Sequence, residues 1–214
     1  MIKFKCFVPE VANTFPILKA KEIKHDWVNK AFSYFQSGTH NFNTTRCPGI
    51  FSIMNTGWIQ TSYQNIMIDT TKENIQWYTE INQSANKNGE VIGDYIHYHS
   101  EEQLSQFYSD WKIKQKTILK IQSPWFVEIP KGYALLSMPV PYNDDQRFMS
   151  AVGLLRGNNF LNVQLYWNVD NEKTIVSSGT PLQQYILVKD IDNSYGIESI
   201  EDAAAYLKDV GYYK

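Results

Sequence analysis

The segment "GDYIHYHSEEQ", residues 93–103, holds the residues best suited to metal chemistry. His97 and His99 are two positions apart, and side chains at that spacing in a strand point to the same face. With Glu102 close behind, two imidazoles and a carboxylate could bind one divalent metal. The pattern supports one hypothesis, a mononuclear metal enzyme of the cupin-like or non-haem iron type that uses His97, His99 and Glu102.

The number and the positions of the histidines argue against that hypothesis. The chain has four histidines, and none follows His99. A cupin needs a second histidine segment, but Leu135 stands at the corresponding position of "PKGYALLSMP". A non-haem iron oxygenase needs a distal histidine well after the first pair. We therefore favour solvated histidines at a strand end and expect no cofactor, so that a divalent metal belongs only to the alternative hypothesis.

The loop "PYNDDQRF", residues 141–148, gathers polar side chains between two apolar segments. Loops carried on a rigid sandwich are where binding groups usually lie, although Asn and Asp also serve turn geometry alone. We predict that a ligand site lies where residues 94–102 meet residues 141–147. Its candidate residues are His97, His99, Tyr142, Asn143, Asp145 and Arg147.

Nucleophilic catalysis has little support in the sequence. Cys47 precedes Pro48 near a predicted helix start, where a thiol pKa can fall, but a buried structural thiol is the favoured interpretation. The sequence contains no G-x-S-x-G, P-loop or dinucleotide-binding motif. Cys6 and Cys47 are far apart in sequence and are predicted to be reduced.

Composition limits the classes of partner. The 214 residues carry a formal charge of −2, and the only arginines are Arg46, Arg147 and Arg156. This balance does not favour nucleic acid. No segment approaches the roughly 18 apolar residues of a membrane span, and the first residues do not resemble a signal peptide. The sequence thus predicts a cytoplasmic protein that binds neither nucleic acid nor membrane.

The patterning predicts one β-rich domain over residues 1–214. Residues 2–8, "IKFKCFV", alternate as a strand does, and short apolar segments recur between turns throughout the second half of the chain. We predict a mainly β fold (α+β at the edges), a β-sandwich of jelly-roll type with a few short helices. The helices are expected near residues 26–35, after Pro48, near residues 99–111, and at the C-terminus at about 199–210.

Three blocks of the sequence resemble a known family. They are "NTTRCPGIFSIMNTGWIQTSYQNIMI", "SPWFVEIPKGYALLSMPVPY" and "SSGTPLQQYILVKD". They look like an uncharacterised protein family that is common in marine tailed bacteriophages, including cyanophages, with distant bacterial relatives. The resemblance implies a compact β-sandwich and a virus-encoded accessory protein, and it assigns no active-site residue. Asn65 departs from the family pattern, in which an acidic residue precedes "IMI".

These observations lead to one hypothesis with two alternatives. The leading hypothesis is a phage-type accessory protein in the cytoplasm of an infected cell, a non-catalytic β-sandwich that binds a small polar ligand or a protein partner. The alternatives are the metal enzyme and a virion or assembly component.

Overall fold

The computed structural model describes residues 1–36, 47–80, 83–85, 91–99 and 118–190. Over these ranges the protein is mainly β, with antiparallel sheets in a sandwich-like arrangement and a few short helices. The predicted fold class is confirmed. The helices predicted after His99 and at about 199–210 lie outside the described residues.

The helices are short. They are α1 (Pro9–Thr14), α2 (Asp26–Gln36) and α3 (Pro48–Asn55), with a 3-10 turn at Ala20–Glu22. The strands are β1 (Lys3–Cys6), β2 (Leu18–Lys19), β3 (Trp58–Thr61), β4 (Ile66–Asp69), β5 (Gln76–Thr79), β6 (Gln83–Ala85), β7 (Val91–Asp94), β8 (Ile96–His99), β9 (Ile118–Ile121), β10 (Trp125–Glu128), β11 (Tyr133–Met138), β12 (Phe148–Ser150), β13 (Gly153–Leu155), β14 (Asn159–Phe160), β15 (Val163–Trp167), β16 (Lys173–Val176) and β17 (Pro181–Lys189).

Four of the sheets combine into two layers. The first layer contains the sheets β12-β15-β9-β8 and β1-β10-β14. The chain passes directly from one sheet to the other twice, from β9 to β10 and from β14 to β15. The second layer contains β13-β11-β17-β3-β2 and β16-β4-β5, joined where β3 continues into β4 and β16 into β17. Strands β6 and β7 form a separate pair. Each layer therefore bends midway along its long strands.

One core cluster fills the space between β12-β15-β9-β8 and β16-β4-β5. Strand β15 shows how the sequence specifies it, because Val163, Leu165 and Trp167 are buried while Gln164 and Tyr166 on the other face are half-exposed. The alternation in the sequence thus identifies the buried face of this strand. Trp167 is fully buried and stacks on Phe148 with ring centroids 6.0 Å apart.

A second core cluster lies between the other two sheets, and one of its members, Tyr185, also belongs to a buried polar network. Tyr185 donates a hydrogen bond to Gln60 Oε1 (2.8 Å), and Gln60 Nε2 donates to Ser123 Oγ (3.0 Å). Gln60 and Tyr185 belong to the second layer, whereas Ser123 lies at the bend of the first. Since all three are buried, the network connects the layers through the interior.

Helix α3 begins at Pro48, as predicted, and the chain turns sharply after it at Gly57. Gly57 has φ +80°, and a Cβ there would lie 1.9 Å from the Tyr185 carbonyl oxygen. Only glycine meets both conditions. Both cysteines are free, as predicted, but the expectation that Cys47 is buried is wrong. It precedes the first turn of α3 and is exposed.

The apolar segment "FMSAVGLL" divides into two strands of different layers. We expected one strand, but β12 ends at Ser150 and β13 begins at Gly153 in the other layer. Ala151 lies at the crossing, where its carbonyl oxygen accepts a hydrogen bond from Gln183 Nε2 (2.9 Å). In the described part of the chain, no helix is long and apolar enough to cross a membrane.

Candidate functional site

A groove opens beside the loop that connects β11 to β12. Its volume is about 690 Å³, within the range of small-ligand sites. Three of the predicted site residues, Tyr142, Asn143 and Asp145, line it. The remaining lining residues are Pro139, Val140, Pro141, Gln146, Phe148, Met149, Ser150, Tyr166, Asn168 and Leu182.

Arg147 fixes one end of this loop rather than lining the groove. Its guanidinium donates to both carboxylate oxygens of Asp145, at 2.9 Å from Nε and 2.7 Å from Nη2. Nη1 also donates to Thr174 Oγ1 (3.2 Å) and to the Ile175 carbonyl oxygen (2.9 Å), which ties the loop to β16. Burial raises the pKa of Asp145, but the hydrogen bonds from Arg147 outweigh burial and hold that pKa below its usual value.

Helix α2 holds the middle of the loop. Asp144 accepts hydrogen bonds from the backbone N–H groups of Asp26 (3.1 Å) and Trp27 (3.4 Å), so it caps the helix from a distant segment. Trp27 Nε1 donates to the Tyr142 carbonyl oxygen (2.9 Å), and the two rings are 6.0 Å apart. These contacts hold Tyr142 at φ +54°, a conformation that non-glycine residues seldom adopt.

Sequence reasoning did not identify the residues of α2 that support the loop. His25, just before the helix, is buried and lies 3.6 Å from Asp144, measured from Nδ1 to Oδ2. Burial lowers the pKa of His25, and the nearby Asp144 carboxylate raises it by less. The sequence shows Asp144 as a polar residue of the loop. It does not show that the partner of Asp144, His25, lies more than 100 positions earlier in the chain.

The two predicted halves of the site do not meet among the described residues. His97 and His99 lie on β8, and β9 and β15 separate that strand from β12. With neighbouring strands about 4.8 Å apart, the two edge strands are separated by roughly 14 Å. The expectation that residues 94–102 meet residues 141–147 is therefore not met by His97 and His99. Alternation in sequence fixes the face of each strand but not the order of strands in the sheet.

The histidines occupy one face of β8, opposite Lys120 and Ile118 of β9. Gln122 Nε2 lies 2.6 Å from His97 Nε2. The two side chains are therefore within hydrogen-bonding distance of each other, with the direction set by the tautomer of the His97 ring. The ring nitrogen that most often binds a metal is thus already engaged.

The third residue of the metal hypothesis, Glu102, lies outside the described residues. Among the residues that the structure does describe, no three His, Cys, Asp or Glu side chains are grouped so as to hold one metal ion. The metal hypothesis remains a prediction about His97, His99 and Glu102.

The groove combines an apolar floor with hydrogen-bonding groups. Leu182 and Phe148 are buried at its base. Ser150 is 2% exposed, and its Oγ has no hydrogen-bond partner among the residues that the structure describes. Asn168 is exposed, and no hydrogen bond from its side chain occurs in the described ranges. The exposed Asn168 side chain is therefore a polar group through which the groove can bind a ligand.

Two other cavities are less suited to a ligand. One, of about 390 Å³, lies between α2 and α3 and is lined by His25 and Met54. The other, of about 540 Å³, lies on the outer surface of β16-β4-β5 around the exposed residues Tyr78 and Ile175. None of the buried polar atoms without a partner belongs to a residue that lines either cavity.

Comparison with known proteins does not assign the chain to a family. No protein-family model matches it, and no curated protein matches it significantly.

Proposed function

We propose that this protein is a non-catalytic binding protein whose ligand, a small polar molecule or a segment of a partner protein, occupies the groove beside residues 139–150. The observation that carries the proposal is the lining of the groove. An apolar floor at Leu182 and Phe148 lies beside polar groups at Ser150 and Asn168. Binding sites generally combine these two features.

The charges at the groove support binding rather than catalysis. Among the described residues of the lining, Asp145 is the only charged one, and both of its oxygens accept hydrogen bonds from Arg147. A carboxylate with a lowered pKa and a permanent cationic partner is a weak general acid or base near neutral pH. Within the described part of the chain, Ser150 Oγ has no hydrogen-bonded base to activate it. An uncharged ligand suits such a lining.

The biological setting belongs to the same proposal. The resemblance to the marine phage family supports an accessory protein that acts in the cytoplasm of an infected cell. A virion or assembly component is the alternative within that setting. Particles purified from infected cells and analysed by mass spectrometry distinguish the two, since an accessory protein is absent from them.

Ligand binding is tested by recording the backbone amide resonances of the labelled protein with a panel of uncharged sugars, polyols, nucleosides and blocked peptides. We expect at least one compound to shift the resonances of Phe148, Met149 and Tyr166. A panel that leaves all of these resonances unchanged contradicts the proposal.

A pair of matched variants locates the binding site. Met149 in the groove and Ile175 on β16 are each 53% exposed. Met149→Lys places a charge in the groove and should reduce affinity for the bound compound at least tenfold. Ile175→Lys introduces the same charge elsewhere and should leave affinity unchanged. Equal effects of the two variants would place binding outside the groove.

Metal analysis separates this proposal from the alternative enzyme. The mononuclear metal hypothesis requires about one metal ion per chain in protein purified without a histidine tag, and loss of that metal in His99→Ala. Under the present proposal the metal content is far below one per chain and does not change with that substitution.

A further inference from the structure

Tyr142 lines the groove with an exposed ring and an unusual backbone conformation. It is 48% exposed, and its φ is +54°. A side chain crowds the backbone in that conformation, so turns normally place glycine or asparagine there. In this loop the asparagine comes one position later, at Asn143. Strained residues of this kind are concentrated at functional sites. The ring of Tyr142 thus has a role that glycine could not fill.

Trp27 holds this ring in place. Its Nε1 donates a hydrogen bond to the Tyr142 carbonyl oxygen (2.9 Å), and the ring centroids are 6.0 Å apart with the planes inclined by 54°. Asp144 accepts hydrogen bonds from the backbone N–H groups of Asp26 and Trp27, so the loop and helix α2 fix each other. A ring that is fixed in advance loses little conformational freedom when a ligand binds to it.

One wall of the groove is a face of β12 and β15. Met149 pairs with Tyr166 across the two strands. Asn168 follows Tyr166 by two positions and continues the pairing, because its N–H donates to the Arg147 carbonyl oxygen (2.8 Å), so it shares the face of Tyr166. Met149 and Asn168 are exposed and Tyr166 is half-exposed. This wall therefore presents an apolar and aromatic surface next to an amide.

The polar groups of the lining can bond to hydroxyl groups but not to a strongly charged ligand. Asp145 accepts three hydrogen bonds from Arg147, donated by its Nε, its Nη2 and its backbone N–H, and a carboxylate can accept about four. Gln146 and Asn168 are exposed, and an amide side chain both donates and accepts. None of the described residues of the lining is cationic, so an anionic ligand finds no ion-pair partner there.

We propose that the groove binds a neutral carbohydrate, with the C–H face of one sugar ring packed on Tyr142 and its hydroxyl groups bonded to Asp145 and Asn168. This inference rests on the proposed function and specifies the class of its ligand. A sugar ring combines an apolar face, which suits an aromatic ring, with hydroxyl groups that both donate and accept. A nucleoside base can also stack on Tyr142, but it carries its polar groups along its edges only. Hydroxyl groups around a sugar ring can reach both the loop and the strand.

The probes are neutral sugars, namely methyl glycosides of common hexoses and pentoses and their linear oligomers of two to five units. Sugars with sulfate or carboxylate groups serve as charged controls. We expect at least one neutral sugar to shift the amide resonance of Met149 and the indole N–H resonance of Trp27, and the charged controls to leave both unchanged. Irradiation of the aromatic protons of the protein should transfer saturation mainly to the C–H protons on one face of a sugar ring.

Matched tyrosine variants test the role of the ring. Tyr142 in the groove and Tyr78 on β5 are 48% and 50% exposed. Tyr142→Ala should weaken binding of the best sugar at least tenfold, whereas Tyr142→Phe keeps the ring and should weaken it less than threefold. Tyr78→Ala should leave the affinity unchanged.

Tyr142→Gly separates a role in binding from a role in stability. Glycine adopts φ +54° without strain, so we expect this variant to lose sugar affinity at least tenfold without a fall in its melting temperature. A tyrosine that serves the fold alone would give the opposite result, a lower melting temperature with unchanged affinity. If the variants do not fold, saturation transfer on the unaltered protein gives the answer alone.

The inference is overturned if no neutral sugar shifts the Met149 and Trp27 resonances, if saturation reaches all faces of the sugar equally, or if Tyr142→Ala binds as the unaltered protein does. Failure of the proposed function gives a different result. If a nucleoside or a blocked peptide binds in a Met149-dependent manner while no sugar does, the groove is a binding site and only the carbohydrate inference is wrong. If no compound of these classes binds, both are wrong.

Discussion

At the residue scale, Trp167 gives the largest single test of the core. It is fully buried, stacks on Phe148, and its Nε1 has no hydrogen-bond partner in the described structure, so its contribution comes from packing. Trp167→Ala should lower the free energy of unfolding by about 3–5 kcal/mol. Denaturant titration measures this change.

The neighbouring Gln164 supplies the control for that measurement. It lies on the opposite, half-exposed face of β15, so Gln164→Ala should change the free energy of unfolding by less than about 1 kcal/mol. Comparable losses in both variants would contradict the assignment of the buried face.

Asp69 makes the stability of the protein depend on pH under acidic conditions. Its carboxylate accepts hydrogen bonds from the Thr71 hydroxyl (2.6 Å) and backbone N–H (3.0 Å) and lies 3.1 Å from Lys173 Nζ. Led by the hydrogen bond from the Thr71 hydroxyl, these contacts lower the pKa of Asp69 to about 2.

The unfolded chain therefore binds this proton more readily than the folded protein does. The stability that Asp69 contributes is complete above the ordinary carboxyl pKa of about 4 and is lost as pH falls from there to about 2. Urea titrations between pH 6 and pH 2 should show a shallower acid dependence for Asp69→Asn, with Thr71→Val intermediate. An unchanged slope in Asp69→Asn would show that other carboxylates govern acid unfolding.

At the element scale, the start of α2 depends on a residue from the β11–β12 loop. The Asp144 carboxylate accepts from the Asp26 and Trp27 N–H groups, which have no partner within the first turn of the helix. Asp144→Ala should lower the free energy of unfolding by about 1 kcal/mol, the typical cost of losing a helix cap. Asp144→Asn, which keeps an acceptor oxygen, should recover most of that loss.

The same elements show how far the sequence predicts the structure. Periodicity predicted the start of α2 to within one residue and identified the buried face of β15. Both features depend on residues that are at most four positions apart in the sequence. Periodicity did not show that the cap of α2 comes from Asp144. Contacts between distant segments leave no local pattern, so the cap was missed.

The same difference between local and long-range contacts explains which residues of the candidate site were predicted. Tyr142, Asn143 and Asp145 were identified because polar turn residues between two strands are visible in sequence, and all three line the groove. Their predicted partner, His97, lies at the far edge of the sheet, since strand order depends on long-range pairing. Ser150 lacked any sequence signal, because one serine in an apolar strand does not show that it is buried.

At the scale of the whole molecule, two layers enclose two apolar clusters, and a buried polar network links the layers. The network runs from Tyr185 through Gln60 to Ser123, whose Oγ also accepts from the Trp125 N–H (3.1 Å). Apolar contacts alone would allow one layer to slide relative to the other. Buried hydrogen bonds are directional, so the network favours one alignment of the bends in the two layers.

A double-mutant cycle tests this coupling between the layers. Tyr185→Phe leaves Gln60 Oε1 without the Tyr185 donor, and we expect a loss of about 1–3 kcal/mol in the free energy of unfolding. Gln60→Leu removes the acceptor and the bond to Ser123 and should also destabilise the protein. Because the two substitutions remove one shared hydrogen bond, the double variant should lose at least about 0.5 kcal/mol less than the sum of the single losses. Tyr133→Phe, at an exposed tyrosine of β11, should cost little and combine additively with Gln60→Leu. Additive losses for Gln60 and Tyr185 would show that the two side chains contribute to stability independently and that packing alone aligns the layers.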